Sequence, residues 1–349
     1  MHRKKKLRIA IAAFAVLFTA YAVFVYFLVS ACLVPSFMDK LNAFEDITEK
    51  CYSEQIQTAD IKENRSQLLS GTQEWLEKAE RKKIQVRTAD GYLLTAAEFP
   101  AETGDAGSTG GKASTGSTGS AESTESAGDK WALLLHGYTG WKEEMYQFAC
   151  WYHQQGYSVL VPDLRCQGES EGDFIGMGWT DHYDCELWIA HILEQAPEAQ
   201  IVLHGQSMGA ATALLMAGSP GVSEHIKAVV SDSAYTSGYE MFGDKITEWF
   251  HLPAAPFVDS ACVMLRLRGG YNLRDASPLR AVAASRIPTL FIHGDEDRMI
   301  DVNMSYELFE AAACEKELFI VEGAGHAQAQ DKAPDAYYGR ISEFLGRYL

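Results

Sequence analysis

Positive charge is scarce in this sequence. Lys and Arg number 30 against 47 Asp and Glu, a net charge of −17 at neutral pH. Five of those bases, Arg3, Lys4, Lys5, Lys6 and Arg8, crowd into the first eight residues, which hold no acid. The remaining surface is therefore more acidic still, and a field of that sign repels phosphate backbones, which argues against nucleic-acid binding. The seven cysteines form no CxxC pair, which argues against a zinc module or a disulfide framework. Their odd number leaves at least one thiol free or paired between molecules. With 47% hydrophobic and 22% charged residues, a wholly disordered chain is excluded. A length of 349 residues fits one large or two small domains.

Charge is missing altogether from residues 9–38. Residues 9–34 are almost purely apolar, and at about 1.5 Å per residue they exceed a hydrocarbon core of roughly 30 Å. The basic residues 1–8 precede this run, and Asp39, Glu45 and Asp46 follow it. The positive-inside rule then predicts a cytoplasmic tail, a transmembrane signal anchor over 9–34, and an extracytoplasmic body in a single-pass cell-membrane protein. The run is longer than a cleaved signal core of about 7–15 residues. Two other readings stay open. Val29-Ser30-Ala31-Cys32 resembles a lipobox that would lipidate Cys32, and ordinary secretion would remove the segment.

Spacing of Leu41, Phe44, Ile47 and Cys51, and more loosely of Leu69, Trp75, Leu76 and Ala79, predicts helix within a segment 35–83 that reads as a stalk or a packing helix rather than a site. Two strands at 84–88 and 92–99 joined by Asp90-Gly91 read as a hairpin. The Gly/Ser/Thr/Ala/Glu tract 101–130 lacks apolar residues to offset its ordering entropy and reads as a solvated, disordered loop inside the domain. From Trp131 onward short apolar runs alternate with helical segments. That pattern predicts an α/β fold over 84–349, with a mostly parallel sheet of about eight strands covered on both faces. Residues 234–287 break the alternation and read as a helical lid, with Tyr235, Trp249 and Phe250 as candidate walls of an acyl pocket or a plain cover for the sheet.

Gly205-Gln206-Ser207-Met208-Gly209 follows an apolar run and opens an Ala-rich helix, the context a G-x-S-x-G elbow requires. A side chain at either flanking glycine would clash in so sharp a turn. A serine hydroxyl needs a base. His326, in the Gly-rich loop Gly323-Ala324-Gly325-His326, is the expected base; His136 and His204 read as loop or packing residues, and His293 as structural. The acid that orients the imidazole is expected at Asp297. Asp295, more at home in loop hydrogen bonds, and Asp232, at the corner before the insertion, are its rivals. Backbone N–H groups of Met208 and Tyr138, the latter in His136-Gly137-Tyr138-Thr139-Gly140, are expected to form an oxyanion hole. These residues require no metal or organic cofactor.

HGYTG (136–140), DLRCQGES (163–170), GQSMG (205–209), SDSAYTS (231–237), HGDED (293–297) and GAGHA (323–327) occur in this order. The chain resembles the α/β-hydrolase superfamily, in particular its serine aminopeptidase-like and monoacylglycerol-lipase-like members and, more closely, membrane-anchored bacterial α/β hydrolases. Many members carry Gly-His where this chain has Cys166-Gln167, in a segment outside the triad. The resemblance implies hydrolysis of an ester, amide or thioester through an acyl-enzyme, with a small-molecule acyl substrate. Within that frame a carboxylesterase is the first expectation and an aminopeptidase-type peptidase the second. A non-catalytic surface module keeping the fold is the reading from another class; such proteins usually lose the serine or the histidine.

Overall fold

The computed structural model describes residues 2–38, 58–102 and 130–349. Most of the expected loop 101–130, and residues 39–57 of the expected stalk, lie outside the described residues.

The strands are β1 (Lys82–Arg87), β2 (Leu93–Phe99), β3 (Lys130–Leu135), β4 (Ser158–Pro162), β5 (Gln200–Gln206), β6 (Ile226–Asp232), β7 (Thr289–Gly294) and β8 (Lys316–Val321). They form one eight-stranded sheet in the order β1-β2-β4-β3-β5-β6-β7-β8. β1 and β2 are the antiparallel edge, paired Val86 to Leu94 across a turn in which Gly91 takes φ 99°. A positive φ of that size favours glycine, which is why Asp-Gly stands there. The strands from β3 to β8 are parallel. β4, β5, β6 and β7 are buried along nearly their whole length, as expected of Val/Ile/Leu runs covered on both faces.

The described helices, in chain order, are α1 (His2–Leu33), α2 (Pro35–Met38), α3 (Ala59–Leu76), α4 (Tyr146–Gln154), α5 (Trp179–Gln195), α6 (Met208–Ala217), α7 (Gly238–Phe250), α8 (Ala254–Arg268), α9 (Pro278–Ala284), α10 (Asn303–Ala311), α11 (Ala329–Lys332) and α12 (Pro334–Leu345). Two apolar cores flank the sheet. One joins Leu133, Leu203 and Val229 to α5, α6 and the cap helix α8; the other joins Leu134, Val202 and Val230 to α4 and α12. Alternation along each strand sends neighbouring residues to opposite cores. Every residue of α6 is buried, and its Ala-Ala-x-Ala composition lets it lie close to the sheet.

The strand order reverses at the middle of the sheet. The chain leaves β3 for β4 on one side, then crosses back to β5 on the other. The loops after β3 and β5 therefore part from one another, and a crevice opens at the carboxyl ends of the two strands.

The amino-terminal helices do not stand apart from the domain. α1 is long and apolar enough to cross a membrane by length and composition. Yet its last turns bury Val25, Leu28, Val29, Cys32 and Leu33 in the same core as Val258, Ala261 and Leu265 of α8. α3, expected as stalk, lies along the domain. Arg65 pairs with Asp331 at 2.6 Å, and Trp75 packs on Phe99 at 4.7 Å between ring centres.

Candidate active site

Ser207 sits between β5 and α6 with φ 56° and ψ −117°, a conformation an L-residue adopts only when its surroundings impose it. The flanking glycines show what imposes it. A Cβ on Gly205 would stand 2.2 Å from the backbone of Gly209, and a Cβ on Gly209 would stand 2.0 Å from the Leu135 carbonyl oxygen. Helix α6 is thus pressed onto the end of β3. Its first amide, that of Met208, directly follows Ser207 in the chain and, at the start of the helix, has no carbonyl partner within it.

His326 arrives from the loop after β8. Its Nε2 lies 2.9 Å from Ser207 Oγ, and its Nδ1 lies 2.7 Å from Asp297 Oδ2. Asp297 stands three residues past the end of β7, where its Oδ1 accepts the amides of Met299 and Ile300, each at 2.8 Å. Its carboxylate is walled off from solvent. Burial alone would raise its pKa, but the His326 and His293 imidazoles outweigh that and hold it below the ordinary carboxylate range. The structure therefore brings Ser207, His326 and Asp297 into one hydrogen-bonded line.

The other candidates are placed elsewhere. Asp232 is fully buried and accepts from Ser233 Oγ at 2.9 Å and from the Tyr337 hydroxyl at 3.0 Å, without touching His326. Burial raises its pKa against those donors. Asp295 accepts the Gly323 amide at 2.7 Å. His136 accepts the Leu164 amide on Nε2 (2.9 Å) and reaches the Gly137 carbonyl with Nδ1 (2.8 Å), and burial lowers its pKa to about 4, so it orients its loop as a neutral ring. His204, between the hydroxyls of Tyr152 and Tyr337, is likewise neutral, its pKa lowered to about 3 by burial. His293 carries more than its own strand end. Its Nε2 lies 3.0 Å from Asp297 Oδ2, and Ser305 Oγ closes on its Nδ1 at 2.6 Å. It is a second imidazole on the same carboxylate, a role that the four-residue spacing of His293 and Asp297 in HGDED could have suggested.

The loop after β3 borders Ser207, since a Cβ on Gly137 would stand 3.5 Å from Ser207 Cβ. Tyr138 follows it, and its hydroxyl donates to the Cys32 carbonyl at the end of α1. The DLRCQGES segment acts as scaffold. Asp163, fully buried, binds Lys142 Nζ at 2.7 Å and the Glu169 amide at 2.9 Å.

Ser207 and His326 open into a cleft of about 460 Å³. Its walls are the 137–141 loop, Glu143, Glu144 and Gln147, the α3 residues Arg65, Leu69 and Thr72, and Gln328 and Asp331. The helix expected as stalk is thus a cleft wall. Of the two readings left open for Tyr235, pocket wall or plain cover, the structure gives the second: it is buried and donates to the Met177 carbonyl at 2.9 Å. The side chains of Trp249 and Phe250 lie outside the described residues. Among the described residues no cluster of three or more His, Cys, Asp or Glu is arranged to hold a metal ion.

A sheet with a central reversal, an elbow at the end of its middle strand and helices on both faces define a class. The sequence model of the alpha/beta hydrolase family matches residues 132–340, and the chain belongs to that family. Among its relatives, the uncharacterized protein YqkD of Bacillus subtilis is 31% identical over 191 residues, which are 54% of this chain and 62% of that protein. An esterase of Pyrococcus furiosus, Pf2001, superposes with a TM-score of 0.58 at 22% identity, covering 77% of this chain and 92% of the esterase. The acylaminoacyl peptidase of Pyrococcus horikoshii superposes with a TM-score of 0.57 at 17% identity, over 80% of this chain and 43% of the peptidase. At those identities the two structures speak for the fold, and they carry both an esterase and a peptidase on it.

Proposed function

We propose that the protein is a serine hydrolase that cleaves a carboxylic ester or a related acyl bond. The observation that carries this reading is the hydrogen-bonded line Ser207 Oγ, His326 Nε2, His326 Nδ1, Asp297 Oδ2, at 2.9 and 2.7 Å, beside an open cleft. Ser207 Oγ attacks the substrate carbonyl carbon while His326 Nε2 takes its proton. The oxyanion that forms is met by the Met208 and Tyr138 amides. His326 returns the proton to the leaving oxygen or nitrogen as the C–O or C–N bond breaks, leaving an acyl-serine. Water, deprotonated by His326, then releases the acid and restores Ser207. Asp297 keeps the imidazole in the tautomer with Nδ1–H and stabilises its cation, and His293 holds Asp297. The test is turnover of p-nitrophenyl esters. Ser207→Ala lowers kcat by about 10⁴-fold or more, as loss of a nucleophile does in such triads; turnover within tenfold of the parent would remove the reading.

A second reading, an aminopeptidase-type substrate with a free ammonium, is favoured by the cleft lining. Among the described lining residues, Glu143 and Glu144 stand without an opposing cation of the cleft, because Arg65 is paired with Asp331 at 2.6 Å. Burial raises the Glu144 pKa to about 7, so this carboxyl gains its charge, and with it a pull on an ammonium, only as pH rises through 7. Comparing short esters, long esters and aminoacyl amides separates the two readings.

We also propose that α1 is a single membrane span, with its basic end in the cytoplasm and the hydrolase domain outside. This reading is supported by a charge-free run within Lys4–Leu33, with a mean hydropathy of 2.3, behind a basic cluster. Cys32 as a lipidation site is the lesser reading, since its side chain is buried against the domain.

A further inference from the structure

The bare part of α1 is too short for the layer it would cross. Residues 4–20 are exposed throughout, and from Tyr21 onward the helix lies against the cap. The uncharged part of that stretch, residues 9–20, rises about 18 Å, against a hydrocarbon core of about 30 Å. Counting from Lys4, with its long side chain reaching back to the interface, still gives only about 25 Å. In either register the turn beginning at Tyr21 falls inside the hydrocarbon, and what packs on that turn must go in with it.

What packs there is the corner between α7 and α8. The Tyr21 hydroxyl lies 2.8 Å from Ser260 Oγ and donates to the Pro256 carbonyl at 3.2 Å, and Phe24 meets the Phe257 ring at 5.8 Å. At the other end of the contact Arg268 donates to Ser30 Oγ at 2.9 Å, its guanidinium 4.2 Å from the centre of the Tyr26 ring. The two helices therefore run parallel, and α8 begins at the end of the domain nearest the bare helix.

The composition of the corner suits that depth. Residues 252–258 read Leu-Pro-Ala-Ala-Pro-Phe-Val, without a charge or a hydrogen-bonding side chain. Pro253, Ala255 and Pro256 are exposed. The two prolines remove two amide donors that acyl chains could not satisfy. The first charge beyond the corner, Asp259, is paired with Arg274 and also accepts the Tyr239 hydroxyl. The basic residues of α8, Arg266 and Arg268, gather at its far end, at the level of Ser30, where phosphates would meet them.

We propose that residues 252–258 are a second membrane contact, seated among the acyl chains of the leaflet on the domain's side, next to α1. The cap of the hydrolase domain is thereby fixed against the bilayer. The inference rests on α1 spanning the membrane, and its test keeps the two apart. Full-length protein carries p-benzoylphenylalanine in place of Phe14, Leu252, Ala255 or Tyr306, one position at a time, in phosphatidylcholine–phosphatidylglycerol nanodiscs. After irradiation, lipid adducts are counted by mass spectrometry. Position 14 and at least one of the two corner positions form acyl-chain adducts, while the exposed control at 306 on α10 forms less than a tenth as many. Adducts at 14 without adducts at 252 or 255, or adducts at 306 equal to those at the corner, overturn the corner contact and leave the span. No adduct at 14 overturns the span and the corner contact with it.

Discussion

Asp297 and Asp232 are both buried carboxylates at the carboxyl end of the sheet, and their partners separate their roles. Asp297 faces two imidazoles and two backbone amides; Asp232 faces two hydroxyls and the Gln206 side-chain amide and has no cation at hydrogen-bond distance. Asp297→Asn is expected to lower p-nitrophenyl ester turnover by about 10³-fold or more, because the amide cannot stabilise imidazolium. Asp232→Asn is expected to change turnover less than tenfold and to act chiefly on melting temperature. A larger activity loss at Asp232 would reverse the assignment. Glu144 offers a pH test. Its carboxyl is tucked against Gly140, where a Cβ would stand 2.4 Å from Oε2, although the residue as a whole stays at the cleft rim. Desolvation there raises its pKa to about 7, so it passes from neutral to anionic as pH rises from 6 to 8. The ratio of kcat/KM for a cationic over a neutral ester should then rise roughly five-fold, about 1 kcal/mol of exposed pairing. In Glu144→Gln the ratio should stay flat; a flat ratio in the parent would remove the ammonium reading.

At the scale of elements, the elbow was the most legible part of the chain. Gly-x-Ser-x-Gly between an apolar run and an Ala-rich helix has few ways to fold, and the close approach of α6 to β3 explains both glycines. Gly209→Ala is expected to lower stability severely, because its Cβ would stand 2.0 Å from the Leu135 oxygen and neither backbone has room to retreat. An unchanged thermal midpoint would contradict so close an approach of α6 to β3. The six ordered motifs likewise carried the strand succession, since each stands at a strand end. Helices without a motif were less legible. The periodicity of α3 says that one face is covered, not by what, and its position as a cleft wall depends on Arg65 finding Asp331, 266 residues away. For Tyr235 the difference is of the same kind: an aromatic in an insertion reads equally as pocket wall or core. Only the Met177 carbonyl, which satisfies its hydroxyl, decides for the core.

At the scale of the whole molecule, the least legible feature was that α1 both leaves the domain and completes it. Its apolar run has no periodicity, so nothing in the sequence separates its exposed turns from those that bury Val25, Leu28, Val29, Cys32 and Leu33. Removing α1 would uncover the face of α8 that these residues close, and would release the Tyr138 hydroxyl from the Cys32 carbonyl. A chain starting at Asp39 is therefore expected to bind a hydrophobic dye and to associate in solution unless detergent is present. A monodisperse, dye-silent monomer with full turnover would show that the helix contributes nothing to the domain. For topology, protease added to intact cells is expected to degrade the domain; complete protection would place it on the other side.

The central claim is that one alcohol in the chain, among many chemically identical ones, is made reactive by its position. Incubating the full-length protein with a fluorophosphonate and sequencing the adduct by tandem mass spectrometry tests this directly. One phosphonyl group per chain, on Ser207 and abolished by His326→Ala, is the expected result. An unmodified protein, or an adduct on another residue with Ser207 free, would contradict it.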